Sequence, residues 1–485
     1  MNDLLALASG VIVTGFDGLT LDAPTRETLA RVPFAGYILF ARNLHDVAAA
    51  RALTDELRSL SALAPIVAVD QEGGRIARLR NGVEVLPSMM ALGATGDAAL
   101  AHDAGVQLGH DLRRAGFNLD FAPVLDLAID PGNTVIGTRA FGSSPAAAAK
   151  LGAAFARGLE RSGIVATFKH FPGHGATSHD THVGPARLDV DRKTLFARDL
   201  APFFACSSDA RAIMAAHVAV PAIDGDVPAS LSSRLLTGVL RDQWGFQGVC
   251  VTDCMQMDAI AQGVGTIAGV TLAIAAGADC ALVSHDPVLA REAARHLAQA
   301  VERGDVPLER LQTAHARVVR LRSTLASPID AHAAAPHAGI GRRIAARAVT
   351  VVRGSLVADR AHCLAVVFGD AAGDVMGVRA VAVALDPDDD QRAAMLDAVR
   401  VANRRPVVLM YRAHLHAGQR RAIDAIVEMF PAAIVVSTGE PFDLSRADAA
   451  QTLAASYGND EAALGGLADV LFEHAPAAGR LPAGP

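Results

Sequence analysis

Four histidines fall within the thirteen residues from His170 to His182, with Lys169 just before them and Asp180 among them. Such a loop can do acid–base chemistry. In the Asp180-Thr-His182 triplet a carboxylate can sit beside an imidazole, fix its tautomer and raise its basicity, which suits proton transfer near neutral pH. An ordinary polar loop would also contain His and Asp. A metal site is a further alternative, because His170 and His174 are spaced like the ligands of a zinc helix. Pro172 and Gly173 lie between them, however, so they cannot share a helix face, and no Glu follows the first His; no metal is expected. Lys169 could form a Schiff base or donate hydrogen bonds to substrate hydroxyls, a task His170 would serve equally well. Asp253 ends the apolar run GVCVTDCMQM, where a carboxylate can be a nucleophile, an electrostatic stabiliser or the N-cap of the next helix. Its neighbour Cys254 belongs to no Cys-x-x-Cys or Cys–His pattern. Asp70, in VAVDQEGGR, together with Arg78 and Arg139, could hold hydroxyl, amide or carboxylate oxygens of a ligand, or form surface salt bridges.

Elements of a particular kind must carry these residues. Short apolar runs alternate with longer helical stretches over the first ~320 residues. The expected strands are Val11–Gly15, Gly36–Phe40, Ile66–Asp70, Asn118–Pro123, Ile164–Lys169, Ala212–His217, Gly248–Asp253 and Asp279–Val283. Amphipathic helices are expected at Val47–Leu60, Ala98–Ala115, Pro145–Ser162 and Ser233–Trp244, with two more, Pro287–Glu302 and Glu309–Ser323, closing the unit. Eight strand–helix units predict an α/β fold of the (β/α)8 barrel type, with room for an irregular closure. Asp70, Lys169-His170, His217 and Asp253 then stand at strand C-termini and Asp126 just beyond one, which is where barrel active sites are built. The expected layout is a barrel over 1–326, an Ala/Pro/Gly-rich linker over 327–342 and a smaller open α/β sheet domain over 343–485. That domain's strands are expected at Val349–Val352, Cys363–Phe368, Ala380–Leu385, Pro406–Tyr411 and Ala433–Ser437. Its helices are expected at Asp389–Ala402, Ala417–Met429 and Asp460–Phe472. Gly369–Gly377 does not match a dinucleotide fingerprint.

Composition narrows the function. The 485 residues are 51% hydrophobic and carry a net charge of -7, without a basic block, so nucleic acid is not an expected partner. No run of about 18 apolar residues predicts a membrane span. The N-terminal apolar stretch has Asp3 where a signal peptide would carry Lys or Arg, and five scattered cysteines favour free thiols in a reducing, cytoplasmic compartment. Aromatic residues make up only 4%, with a single Trp, which favours a small ligand over a long polysaccharide.

At these residues the chain resembles the family 3 glycoside hydrolases, and within them the β-N-acetylglucosaminidases of the NagZ type. The matching stretches are VDQEGGRIARLR (69–80), NLDFAPVLDL (118–127), TRAFG (138–142), KHFPGHG (169–175), DTH (180–182), MAAHVAVPAID (214–224), PASLS (228–232) and GFQGVCVTDCMQMDAI (245–260). The closing LADVLFEHAPAAGRLP is similar to the ending of two-domain members. The resemblance implies that Asp253 is the nucleophile, His182 the acid/base and Asp180 its partner. It implies that Asp70, Arg78, Arg139, Lys169 and His170 hold the sugar. Relatives of the β-glucosidase branch take a Glu acid/base from the second domain, so the Asp-x-His loop points to the acetylglucosaminidase branch. The implied enzyme is a retaining, exo-acting glycosidase on small glycans such as muropeptides or chito-oligosaccharides, without metal or organic cofactor. Phosphorolysis in place of hydrolysis, and a broader β-glycosidase, stay open, as do a Schiff-base lyase and a non-catalytic sugar-binding protein. The oligomeric state also stays open. Cys254 and His179 depart from the family pattern.

Overall fold

The computed structural model describes residues 2–177, 184, 186–325, 336–369 and 374–484. Asp180 and His182, with His179, lie outside the described residues.

Eight short runs of buried, largely apolar residues form parallel strands: β1 (Ile12–Thr14), β2 (Gly36–Leu39), β3 (Ile66–Val69), β4 (Leu119–Asp120), β5 (Val165–Phe171), β6 (Ala212–Ala215), β7 (Val249–Cys254) and β8 (Cys280–Val283). They pair in chain order, and β1 pairs with both β2 and β8, so the barrel is closed. Burial on both faces explains why GYIL, IVAV, AIMA and CALV are continuous apolar runs without alternation. Alternate residues still separate by face. Val13, Ile38, Ile66, Ala68, Leu119, Phe121, Val165, Met214, Val249, Val251 and Leu282 pack into one interior cluster, plugged by Val318 and Leu321 of the last helix, Leu308–Leu325. The outer faces pack against Val47–Ser59, Ala98–Arg114, Pro145–Arg161, Thr266–Ala276 and Pro287–Arg303. Asp46, Asp97, Ser144 and Asp286 start four of the helices that surround the barrel, each accepting a backbone N–H from the first turn. Two irregularities break the ladder near the site: register shifts between Phe168 and Phe171 on β5, and between Val251 and Cys254 on β7. Bulges of this sort re-aim side chains at barrel rims.

The second unit is a seven-stranded sheet, of which five strands match the expected ones within about two residues: β9 (Thr350–Arg353), β10 (Cys363–Phe368), β12 (Val378–Val383), β13 (Arg405–Met410) and β14 (Ile434–Ser437). With β11 (Asp374–Val375) and β15 (Thr452–Ala455) the order is β9-β15-β14-β13-β10-β12-β11, with antiparallel pairs at both edges. The two strands absent from the sequence reading are β11 (Asp374–Val375) and β15 (Thr452–Ala455). The latter reads TLAA, too small and too poor in β-branched residues to announce a strand, yet every residue of it is buried.

The helix Ile340–Ala348 begins inside the stretch expected to be linker, and it docks on the barrel. Glu84 accepts the N–H groups of Gly339 and Gly341 at 3.2 and 3.1 Å. The chain's last residues return to the barrel, where Arg480 N donates to Ala94 O (2.9 Å) and Pro482 O accepts Ser143 N (3.0 Å). Ser88 Oγ meets Tyr457 O at 2.6 Å. The seam between the two units is therefore hydrogen-bonded at several separate places.

Candidate active site

The strand C-termini open on a cavity of about 470 Å3. Asp70, Arg78, Arg139, Lys169, His170 and Asp253, all singled out from sequence, line it together. They come from three strand ends and two loops, and only the closed barrel makes them neighbours.

Behind the cavity wall runs a buried relay of charges. Lys169 Nζ lies 2.7 Å from Asp70 Oδ1 and 2.6 Å from Glu72 Oε1. Glu72 in turn takes a two-pronged contact from Arg139, Nε to Oε2 and Nη2 to Oε1, both 2.8 Å. Arg139 Nη2 also meets His170 Nε2 at 3.3 Å, and His170 Nδ1 meets Asp126 Oδ2 at 2.6 Å. A guanidinium N–H can only donate, so Nε2 of His170 accepts and the ring carries its proton on Nδ1. Asp126 further receives the backbone N–H of His170 and of His174. The side chain of Lys169 is 2% exposed, that of Glu72 1% and that of Asp126 0%.

Burial on this scale penalises charge, and each group is kept charged by its neighbours. For Glu72 burial pushes the carboxyl up, but Arg139 and Lys169, by charge and hydrogen bond, hold it far below the usual carboxylate range. Burial pulls Lys169 down, and the Asp70 and Glu72 carboxylates more than reverse that. Asp126 stays below its ordinary value against burial, through His170 first. Two carboxylate oxygens within 2.7 Å of Nζ favour the ammonium form of Lys169 over the neutral amine a Schiff base requires. Asp120 is the exception: burial pushes it well above the carboxylate range, and its Oδ1 accepts Gln71 N at 2.9 Å.

Across the cavity, Asp253 closes β7. Its Oδ1 accepts the Cys254 N–H at 2.7 Å. His217, at the end of β6, holds the same turn: Nε2 meets Cys254 O at 2.9 Å and Nδ1 meets Ser230 Oγ at 2.7 Å. Because a carbonyl only accepts, Nε2 carries the proton here. Cys254 lines the cavity, but burial pushes its thiol up, away from thiolate chemistry at neutral pH.

The sequence reading missed Glu72 and Arg75 and gave Asp126 no role. Glu72 stands two residues after Asp70 in the same motif, and a strand-end alternation would have aimed it beside Asp70. Arg75 donates through Nη2 to Val135 O (2.5 Å) and Ile136 O (3.1 Å), fixing the loop that carries Arg139. Nothing local in the sequence signals that long-range contact.

A barrel whose strand ends bring a carboxylate and fixed cations around a small cavity is an enzyme architecture that glycoside hydrolases share with other barrel enzymes. The model of the glycosyl hydrolase family 3 N-terminal domain matches residues 10–321, and the chain belongs to that family. It is 34% identical over 338 residues to a protein named beta-hexosaminidase A of Pseudoalteromonas piscicida, covering 63% of this chain but only 56% of that one. It is 37% identical over 324 residues to a beta-hexosaminidase of Hydrogenovibrio crunogenus, covering 65% and 87%. Among solved structures, a family 3 beta-N-acetylglucosaminidase from Paenibacillus sp. superimposes with a TM-score of 0.91 at 32% identity, over 99% of this chain and 98% of that one.

Proposed function

We propose that the chain is a retaining, exo-acting β-N-acetylglucosaminidase that releases terminal N-acetylglucosamine from small glycans. The observation that carries this is the placement of Asp253 opposite the Asp70–Lys169–Glu72–Arg139 relay across one cavity of about 470 Å3. That is room for about one sugar ring and its substituents. In the proposed reaction an Asp253 carboxylate oxygen attacks the anomeric carbon as its bond to the aglycone oxygen breaks. The leaving oxygen takes a proton from His182. In the second half His182, now neutral, accepts a proton from water, the water oxygen bonds to the anomeric carbon, and Asp253 departs. Asp180 orients His182, while Asp70, Arg78, Arg139, Lys169 and His170 hold the sugar. Asp70, held by Lys169 at the cavity wall, is suited to accept a sugar hydroxyl proton, and Arg78 to donate to a hydroxyl or amide oxygen.

The proposal extends to muropeptides or chito-oligosaccharides as substrates and to a cytoplasmic setting, with the domain limits kept at 326 and 343. Five free thiols support a reducing compartment. The similarity to proteins named for β-hexosaminidase activity supports the 2-acetamido sugar. The test is turnover of nitrophenyl β-N-acetylglucosaminide against nitrophenyl β-glucoside. Strong preference for the acetamido substrate is expected; equal rates would make the chain a broader β-glycosidase. Run in phosphate and in a non-phosphate buffer, the same assay should release free N-acetylglucosamine at the same rate. Accumulation of the sugar 1-phosphate would make it a phosphorylase.

A further inference from the structure

The loop from Asp130 to Arg139 forms one wall of the cavity, contributing Thr134, Val135 and Arg139 to its lining. From the barrel side its carbonyls are held by Arg75, as above, and by Arg139 Nη1 on Val135 O at 3.1 Å. The other side of the loop is held by the second domain. Arg412 Nη2 donates to Thr134 O at 3.1 Å, and His414 Nε2 meets Pro131 O at 2.8 Å. Gly137, at φ +46°, lets the Glu440 carboxylate approach so closely that any Cβ there would collide with it.

His414 is built to donate twice. Its Nδ1 meets Asp443 Oδ1 at 2.7 Å, and its Nε2 meets a backbone carbonyl. Asp443 accepts the backbone N–H groups of Arg412 (Oδ2, 2.9 Å) and His414 (Oδ1, 3.0 Å) as well, so it acts as an acceptor toward the ring. Neither partner of the imidazole can donate, and only the imidazolium satisfies both. The ring is 7% exposed. Within its own domain it faces Asp443, the Glu440 carboxylate and the edge of Phe442, and Arg420 Nη1 holds the His414 carbonyl at 3.3 Å. On the barrel side Asp130 is turned to its own loop, taking the Gly132 N–H at 2.8 Å. Burial alone would lower the imidazole; the Asp443 hydrogen bond and charge, the Pro131 carbonyl and Glu440 raise it above the ordinary histidine value.

We propose that the second domain braces the sugar pocket: Arg412 and a doubly donating His414 are positioning residues that hold the 131–139 loop, and with it Thr134, Val135 and Arg139, in binding geometry. The role rests on the reading of the cavity as the sugar site, and it gives the second domain a part in binding without a residue in the chemistry. With a raised folded-state value, the brace is complete below the ordinary histidine range. It loses one hydrogen bond as pH rises through the raised value.

The experiment compares wild type with His414→Gln, which cannot be charged, and His414→Arg, which donates twice at every pH. KM and kcat are measured for nitrophenyl β-N-acetylglucosaminide between about pH 5.5 and 9, with amide exchange of residues 131–139 followed by mass spectrometry. Relative to His414→Arg at the same pH, which shares the acid–base titration of His182, wild-type KM should rise about tenfold on the alkaline side, the scale of one charge-assisted hydrogen bond, with the two kcat values differing less than about twofold. His414→Gln should show the high KM throughout, and His414→Arg should restore a low KM without the alkaline rise. Loop exchange, corrected for its intrinsic pH dependence, should follow the same order. A purely structural His414 would lower the melting temperature of His414→Gln and leave both KM and loop exchange at wild-type values; that result overturns the brace. Exchange needs no turnover, so an inactive wild type would refute the substrate reading while the loop data still decide the brace.

Discussion

The barrel and the parallel centre of the second sheet point their carboxyl ends at the same place and use them in opposite ways. In the barrel those ends leave Asp70, Lys169, His170 and Asp253 around an open cavity. In the second sheet, β13 and β14 deliver Arg412, His414, Glu440 and Asp443, of which Arg412 and His414 reach the barrel loop beside that cavity while Asp443 holds His414. Carboxyl ends of parallel strands are where α/β folds bind ligands. Here one set meets a ligand cavity and the other meets protein. What separates them is where the hydrogen-bonding capacity goes: barrel groups face a cavity, whereas Arg412 and His414 meet carbonyls of the neighbouring domain. A polar cluster at the end of a sheet is therefore no site by itself.

The comparison breaks first at Asp253. Asp253→Asn should lower turnover at least about 10^3-fold, a loss of about 4 kcal/mol of transition-state stabilisation, with an unchanged circular dichroism spectrum. Near-normal activity would move the chemistry elsewhere. Glu72→Gln comes next, because it leaves Lys169 and Arg139 buried without their shared carboxylate. It should cost the barrel about 3–5 kcal/mol in denaturant unfolding and raise KM as well. An unaltered unfolding midpoint would mean that the relay is not a structural unit. His217→Ala removes the donor that holds the Cys254 carbonyl. A shift of about 1 Å in the neighbouring Asp253 carboxylate would lower kcat about 10^2-fold, with KM much less affected. Rates within a factor of two of wild type would show that Asp253 is placed by β7 alone.

Much of this was legible from sequence because it is local. Eight apolar runs of the right length, four of them ending in or just before an ionisable residue, define the barrel strands without any knowledge of pairing. Asp70, Lys169, His170 and Asp253 declare themselves by standing at those ends. Glu72 was not legible as a charge partner, since its importance lies in Arg139, 67 residues away. The strand Thr452–Ala455 was not legible because its small residues are chosen for packing under neighbours, not for intrinsic strand preference. The brace was hidden for a third reason. Pro131 and Thr134 contribute backbone carbonyls, and a carbonyl leaves no mark on the sequence, while Arg412 and His414 sit 278 and 283 residues further on.

The smallest expected effect sharpens the contrast within the second domain itself. Beyond the seam, Arg421 and Arg446 line a shallow cleft with Asp424 and Asp448, at the start of the helix Ala417–Met429. By composition this cleft looks as much like a binding site as the seam does: arginines near a helix start could attract an anion. Both arginines are exposed, though, and the carboxylates of Asp424 and Asp448 offset two of the three arginines, Arg420 included, that line the cleft, so only a small, solvent-screened positive field remains for a ligand. Arg421→Ala and Arg446→Ala should each leave KM and kcat within about twofold of wild type and shift stability by no more than about 0.5 kcal/mol. The check is steady-state kinetics beside the same unfolding assay used for Glu72→Gln. If either substitution changed KM as strongly as His414→Gln, the second domain would touch substrate or effector at a surface of its own. Its influence on the pocket would then not run through the 131–139 loop alone. If both are silent while His414→Gln is not, exposure and prior neutralisation, rather than residue type, decide which charged cluster of this sheet matters.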